Sequence, residues 1–151
     1  MKKRTSTLAG GLIALFCTLQ LFSCKVEPVP IQYGKDACHF CKMNIVDKQH
    51  AAELVTQKGK VYKFDAVECL LNDLKTRETQ TIGLVLVNTY DEPINLYPAE
   101  TATFLISEGV PSPMGANLTA FKERDNAIQT MMEKFGEIFS WEQLKEEFSV
   151  K

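Results

Sequence analysis

Two thiols, an imidazole and a thioether stand within one short stretch, Cys38-His39-Phe40-Cys41-Lys42-Met43. Thiolate and thioether sulfur are soft donors that suit a soft monovalent metal, above all Cu(I), whereas zinc and iron sites draw on thiolate, imidazole or carboxylate and seldom on methionine. A second methionine, Met114, stands between Pro113 and Gly115 in a loop where a core methionine is not expected. It reads either as a further soft ligand or as a loop residue covering apolar surface.

The Cys-x-x-Cys pair alone supports several readings, and its neighbours separate them. Covalent haem needs histidine directly after the second cysteine, but Lys42 follows Cys41. Structural zinc needs a second ligand pair, and only Cys69, His39 and His50 remain, none of them paired. A thioredoxin-like site follows a strand and opens a helix; here the pair comes directly after a proline-bearing segment. A simple Cys38–Cys41 disulfide stays open, and with it an alternative function as a periplasmic thiol-disulfide oxidoreductase using those two residues. Met43 favours metal, because a thioether two residues from a thiolate serves neither redox chemistry nor a structural bridge. Cys69 lies on the apolar side of its expected helix and reads as a buried structural thiol. His39 reads as a solvated side chain, and His50 has no local partner. Met131 and Met132 fall inside a helix and read as packing.

The elements that position these residues are legible from periodicity. Ala51–Thr56, a glycine-containing turn at 57–60 and Val61–Phe64 form a β-hairpin pattern. Asp65 stands where an N-cap belongs, ahead of apolar positions 66, 67, 70, 71 and 74 at helical spacing. Ile82–Thr89 is a dense aliphatic run typical of a buried strand, with further strands at Asn95–Tyr97 and Thr103–Ile106. A loop from Ser107 to Asn117 holds Met114, and Leu118–Phe121 forms a short strand. A helix over Ala127–Phe135, a strand at Glu137–Phe139 and a helix capped by Ser140 complete the chain. The order predicts an α+β fold of two small ββα-type lobes, at about residues 35–80 and 81–151, preceded by a flexible lipoprotein tether.

Residues 1–23 read as a signal peptide, with a basic start at Lys2, Lys3 and Arg4 and an apolar stretch, Leu8–Phe22, shorter than the about 20 apolar residues a span needs. Leu21-Phe22-Ser23-Cys24 resembles the lipobox of bacterial lipoproteins, which implies acylation of Cys24 and a domain held to a membrane, facing the periplasm or cell exterior. Residues 24–34, with Pro28 and Pro30, read as the tether. Of the 151 residues, removal of the signal leaves 14 basic and 19 acidic side chains, a formal charge of −5. No basic run interleaved with aromatics occurs, so no nucleic acid is expected as partner. Cys38, Cys41 and Cys69 remain as thiols, an odd set that leaves at least one outside any disulfide.

Taken together, Cys38-x-x-Cys41-x-Met43-x-Ile45, Ala51, Gly59, Phe64-Asp65, Cys69 and Pro113-Met114-Gly115-Ala116-Asn117-Leu118 with Ala120-Phe121 resemble the NosL family, the nitrous oxide reductase accessory lipoproteins. The resemblance implies a membrane-anchored metallochaperone, not an enzyme, that carries Cu(I) for maturation of nitrous oxide reductase in denitrification, working with a membrane transporter complex. It implies Cys41, Met43 and Met114 as metal ligands, with Cys38 as a further ligand or a partner of Cys41. Lys42 departs from the family pattern, in which glycine is frequent at that position. A related copper enzyme as client, and a homodimer sharing one metal, remain open at this stage.

Overall fold

The structure, a computed structural model, describes residues 25–150; the signal segment and Cys24 lie outside the described residues. β1 (Ala52–Thr56) and β2 (Val61–Phe64) form the expected hairpin, in register from Ala52 opposite Phe64 to Val55 opposite Val61. Gly59 in its turn has φ +75, and a Cβ there would stand 2.5 Å from the Lys25 carbonyl oxygen, so both conformation and space require glycine. α1 (Val67–Leu74) follows and buries all its residues except Asn72.

β3 (Ile82–Asn88) returns antiparallel to β1, setting Val85 opposite Leu54 and Val87 opposite Ala52, and β4 (Leu96–Pro98) pairs with β3. The first sheet therefore runs β2-β1-β3-β4. A second sheet runs β6-β5-β7, from β5 (Thr103–Ile106), β6 (Leu118–Phe121) and β7 (Glu137–Phe139). α2 (Arg124–Lys134) joins β6 to β7, and α3 (Trp141–Glu147) closes the chain. Ser140 and Gln143 form a reciprocal capping box at the start of α3, as the serine there predicted.

The mixed α and β class with two small sheets is as expected, but the division along the chain is different. β3 and β4 fall after residue 80 yet belong to the first sheet, because the branched residues of β3 find their partners on β1. One core also crosses both sheets: Leu54, Phe64 and Leu70 from the first half join Phe104, Leu118 and Trp141 from the second. Each such large side chain contributes about 1.5–3 kcal/mol when withdrawn from water. A smaller cluster of Leu105, Val110, Phe121 and Ala127 lies under α2, with Met131 packed against it, while Met132 is exposed.

The end of the tether segment is docked. The Val29 N–H donates to Glu53 Oε1 at 2.9 Å, Lys63 Nζ donates to the Pro30 carbonyl at 2.8 Å, and Ile31 is buried. Glu53 explains this, since a carboxylate fully buried on β1 needs a donor that the sheet cannot supply. Among the described residues, no helix is long and apolar enough to cross a membrane.

Candidate metal centre

The Cys38–Met43 stretch folds back on itself. The Cys38 N–H donates to the Met43 carbonyl at 2.8 Å, Lys42 N–H donates to the Cys38 carbonyl at 3.1 Å, and Ala37 bridges Asn44. This closure needs a left-handed residue at its apex, and Lys42 takes it with φ 67. Glycine takes this conformation without strain, so lysine here carries a conformational cost rather than a chemical one. His39 N–H donates to the Lys63 carbonyl at 2.7 Å and fastens the loop to β2.

The first turn of α1 brings Cys69 to the same place. The sulfurs of Cys38, Cys41 and Cys69 all lie within 4.8 Å of one another. A trigonal thiolate site with bonds of about 2.3 Å, the length of a zinc–thiolate bond, needs sulfurs about 4 Å apart, so the three positions fit a single soft cation. Cys38 and Cys69 are each 1% exposed, and Cys41 alone of the three reaches the surface in part. The arrangement is a thiol pocket with one accessible sulfur.

Hydrogen bonding makes the three sulfurs unequal. The Cys69 thiol donates to Cys38, and the backbone N–H groups of Asp65 and Cys41 join it; against the opposing effect of burial they pull Cys38 down to about 4, so it is a thiolate at neutral pH. Cys69, which gives its proton to that bond and is buried, is pushed far above the ordinary thiol range. Burial also raises Cys41, with the Met43 N–H acting in the opposite direction. One negative charge is thus held ready in the pocket.

Asp65 is not the helix cap. Ala66 occupies that position with extended backbone and no side-chain capping bond, while the Asp65 carboxylate is buried with Oδ1 unpartnered. Burial first, then the neighbouring Cys38, Asp47 and Glu68, push its carboxyl upward. The inward turn at the end of β2 gives Asp65 N–H to the Cys38 sulfur, a role the capping pattern did not reveal.

Both methionines are at the surface, Met43 at 48% and Met114 at 38% exposure. Met114 belongs to a turn closed by Gly115 N–H on the Ser112 carbonyl at 3.1 Å. Ser112 Oγ in turn donates to Glu68 Oε1, in the residue directly before Cys69. The second lobe's loop is thereby fixed to the helix that carries the third thiol, and Met114 Cα stays within about 7 Å of the Ser112 anchor by chain length alone.

Neither histidine belongs to the cluster. The His39 ring packs edge-on against Tyr62 at 4.5 Å and lies 3.8 Å from Asp73 Oδ1. His50 is buried, with Nδ1 3.0 Å from Asp47 Oδ1 and Nε2 3.2 Å from Thr119 Oγ1, so, against the expectation of no local partner, it pairs with Asp47 three residues before it and both ring nitrogens are engaged. Cys69 is the residue that sequence reasoning set aside. The available signal was a third cysteine left over beside the Cys-x-x-Cys pair, at the start of the helix that directly follows the hairpin.

A family model for NosL matches residues 28–149. The fold is similar to that of the copper chaperone NosL from Shewanella denitrificans in its crystal structure, with a TM-score of 0.69, 19% sequence identity, and coverage of 79% of this chain and 96% of that one. At that identity the likeness concerns the fold. No curated protein matches the chain.

Proposed function

Because the chain belongs to the NosL family, we propose that it is a Cu(I) metallochaperone held at a membrane, receiving copper as cargo and passing it on without chemical turnover. The observation that carries the reading is the convergence of Cys38, Cys41 and Cys69 within 4.8 Å, with Cys41 alone partly exposed. Cys41 is the ligand common to two donor sets: the buried thiols behind it, and the exposed thioethers of Met43 and Met114 on the surface. Soft donors in both sets favour Cu(I) over zinc. A site with an open side lets an incoming sulfur replace one ligand before the others release, so copper moves without becoming free.

The client proposed from the family is nitrous oxide reductase, or a related copper enzyme, served together with a membrane transporter complex. Acylation at Cys24 would raise local concentration beside that machinery. The alternative of a thiol oxidoreductase is disfavoured by the distribution of reactivity: the thiolate, Cys38, is buried, and the accessible Cys41 has a raised pKa, the reverse of an exposed low-pKa nucleophile.

The test is an anaerobic Cu(I) titration of the reduced protein against a competing chelator, with Cys41→Ser and Met114→Ala variants. One tight equivalent per chain is expected, weakened most by Cys41→Ser and less by Met114→Ala. Weak binding that neither substitution changes would refute the reading.

A further inference from the structure

The charge of this domain is divided between its halves. Residues 99–150 carry nine acidic and four basic side chains, and all nine acids are exposed. Residues 25–98 carry ten acidic and nine basic side chains, but Glu53, Asp65, Glu68 and Asp73 among the acids are buried. Lys63 and Arg77 among the bases are likewise largely withdrawn, each in an ion pair, so the solvent-facing charge of the first half is close to balance and that of the second is strongly negative.

The positive charge gathers at one end of the first sheet. The β1–β2 turn presents Lys58 and Lys60, neither of which has an ion-pair partner among the described residues. Lys60 Nζ lies 4.7 Å from the Tyr62 ring centroid, whereas Arg77, on the same ring, is largely buried in an ion pair with Asp73. Lys25 is exposed and pairs with Glu27 at 3.5 Å. Lys25 crosses directly over Gly59 in that turn and so joins the basic group. The sulfur triad is at the opposite end of β2: from Lys60 to Asp65, whose N–H reaches the Cys38 sulfur, the strand rises about 16 Å.

We propose that this end of the first sheet is a membrane-contact surface for anionic phospholipid, with Lys25, Lys58 and Lys60 against the headgroup phosphates. Basic side chains near such a surface are attracted within about one Debye length, and the acidic half of the domain is repelled from it, so the same field both holds and orients the molecule. The orientation turns the thiol pocket away from the lipid and toward the aqueous side. The contact requires neither copper nor acylation.

Residues 25–151 contain both sheets and their shared core, so this domain can be tested without its leader. The experiment is co-sedimentation with vesicles of phosphatidylglycerol and phosphatidylcholine, against vesicles of phosphatidylcholine alone. Binding is expected on the anionic vesicles only, falling as salt rises from about 50 to about 300 mM. Lys58→Gln with Lys60→Gln should lower the partition coefficient about 25-fold, at about fivefold per lysine. Arg124→Gln with Lys134→Gln, in the acidic half, should change it less than about twofold. Equal binding to both vesicle types, no binding to either, or an equal fall in the two double variants would overturn the proposal. The Lys58/Lys60 variant should keep its Cu(I) titration, which separates failure here from failure of the chaperone reading.

Discussion

Replacing Lys42 by glycine should stabilise the protein without touching a ligand. Lys42 sits at φ 67, at the apex of the loop that sets Cys38 and Cys41 side by side. A side chain in the left-handed region costs about 1–2 kcal/mol. Glycine returns about 0.4–1 kcal/mol of that through the greater freedom of the unfolded chain. The Lys42 Nζ contact with the His39 carbonyl is exposed and subtracts little. The expected net gain is about 0.5–1 kcal/mol. With an unfolding entropy of about 2.1 cal/mol/K per residue over roughly 125 residues, that corresponds to a rise in Tm of about 2–4 °C. Calorimetry of Lys42→Gly beside the parent protein measures it, and Cu(I) affinity should stay within about threefold, since no sulfur moves. An unchanged or lower Tm would show that the loop is not closed through a left-handed apex, and the geometry assigned to the cysteine pair would fall with it.

Cu(I) binding should tighten with pH. Cys38 is already a thiolate while Cys41 and Cys69 hold their protons at neutrality, so filling the thiol triad expels two protons and lowers Kd about 100-fold per pH unit between about pH 6 and 8. A tenfold dependence in chelator competition would instead confine copper to Cys41 and the thioethers. Among the described residues, Ser112→Ala removes the only hydrogen-bond donor to Glu68 Oε1, beside an Oε2 that has none. It should cost about 1–3 kcal/mol in denaturant unfolding and speed hydrogen exchange across residues 112–117; no change in either would mean that the Met114 loop is not held by this bond.

The parts of this architecture legible in sequence are those decided locally. The β1–β2 hairpin, α1 and the Ser140 cap each rest on residues a few positions apart, and each appears where its pattern placed it. The cysteine pair with Met43 was equally local. What the sequence concealed was set by distant partners. Cys69 becomes part of the site only when α1 packs beside a loop that precedes the hairpin. Asp65 had the composition of a cap, but the turn out of β2 directs it inward, and Ala66 begins the helix uncapped. Of the two ring partners of His50, Thr119 is 69 residues away and hidden from local reading, while Asp47, three residues before it, was within reach of the sequence and was passed over. The lobe boundary was misplaced because antiparallel pairing with β1, rather than chain order, decides where β3 belongs.

The core that runs from Leu54 and Phe64 through to Phe104 and Trp141 has a kinetic consequence for a carrier built this way. Two sheets that share one interior cannot swing apart without unfolding, so cargo does not depart through a hinge. On the proposed function it leaves by replacement at Cys41. Transfer is then second order, proportional to the concentration of the acceptor's sulfur, with no ceiling imposed by a rate of opening. A carrier of that kind would hold its ion in acceptor-free solution, and the time a copper ion spent on it would be set by how often a suitable acceptor arrives.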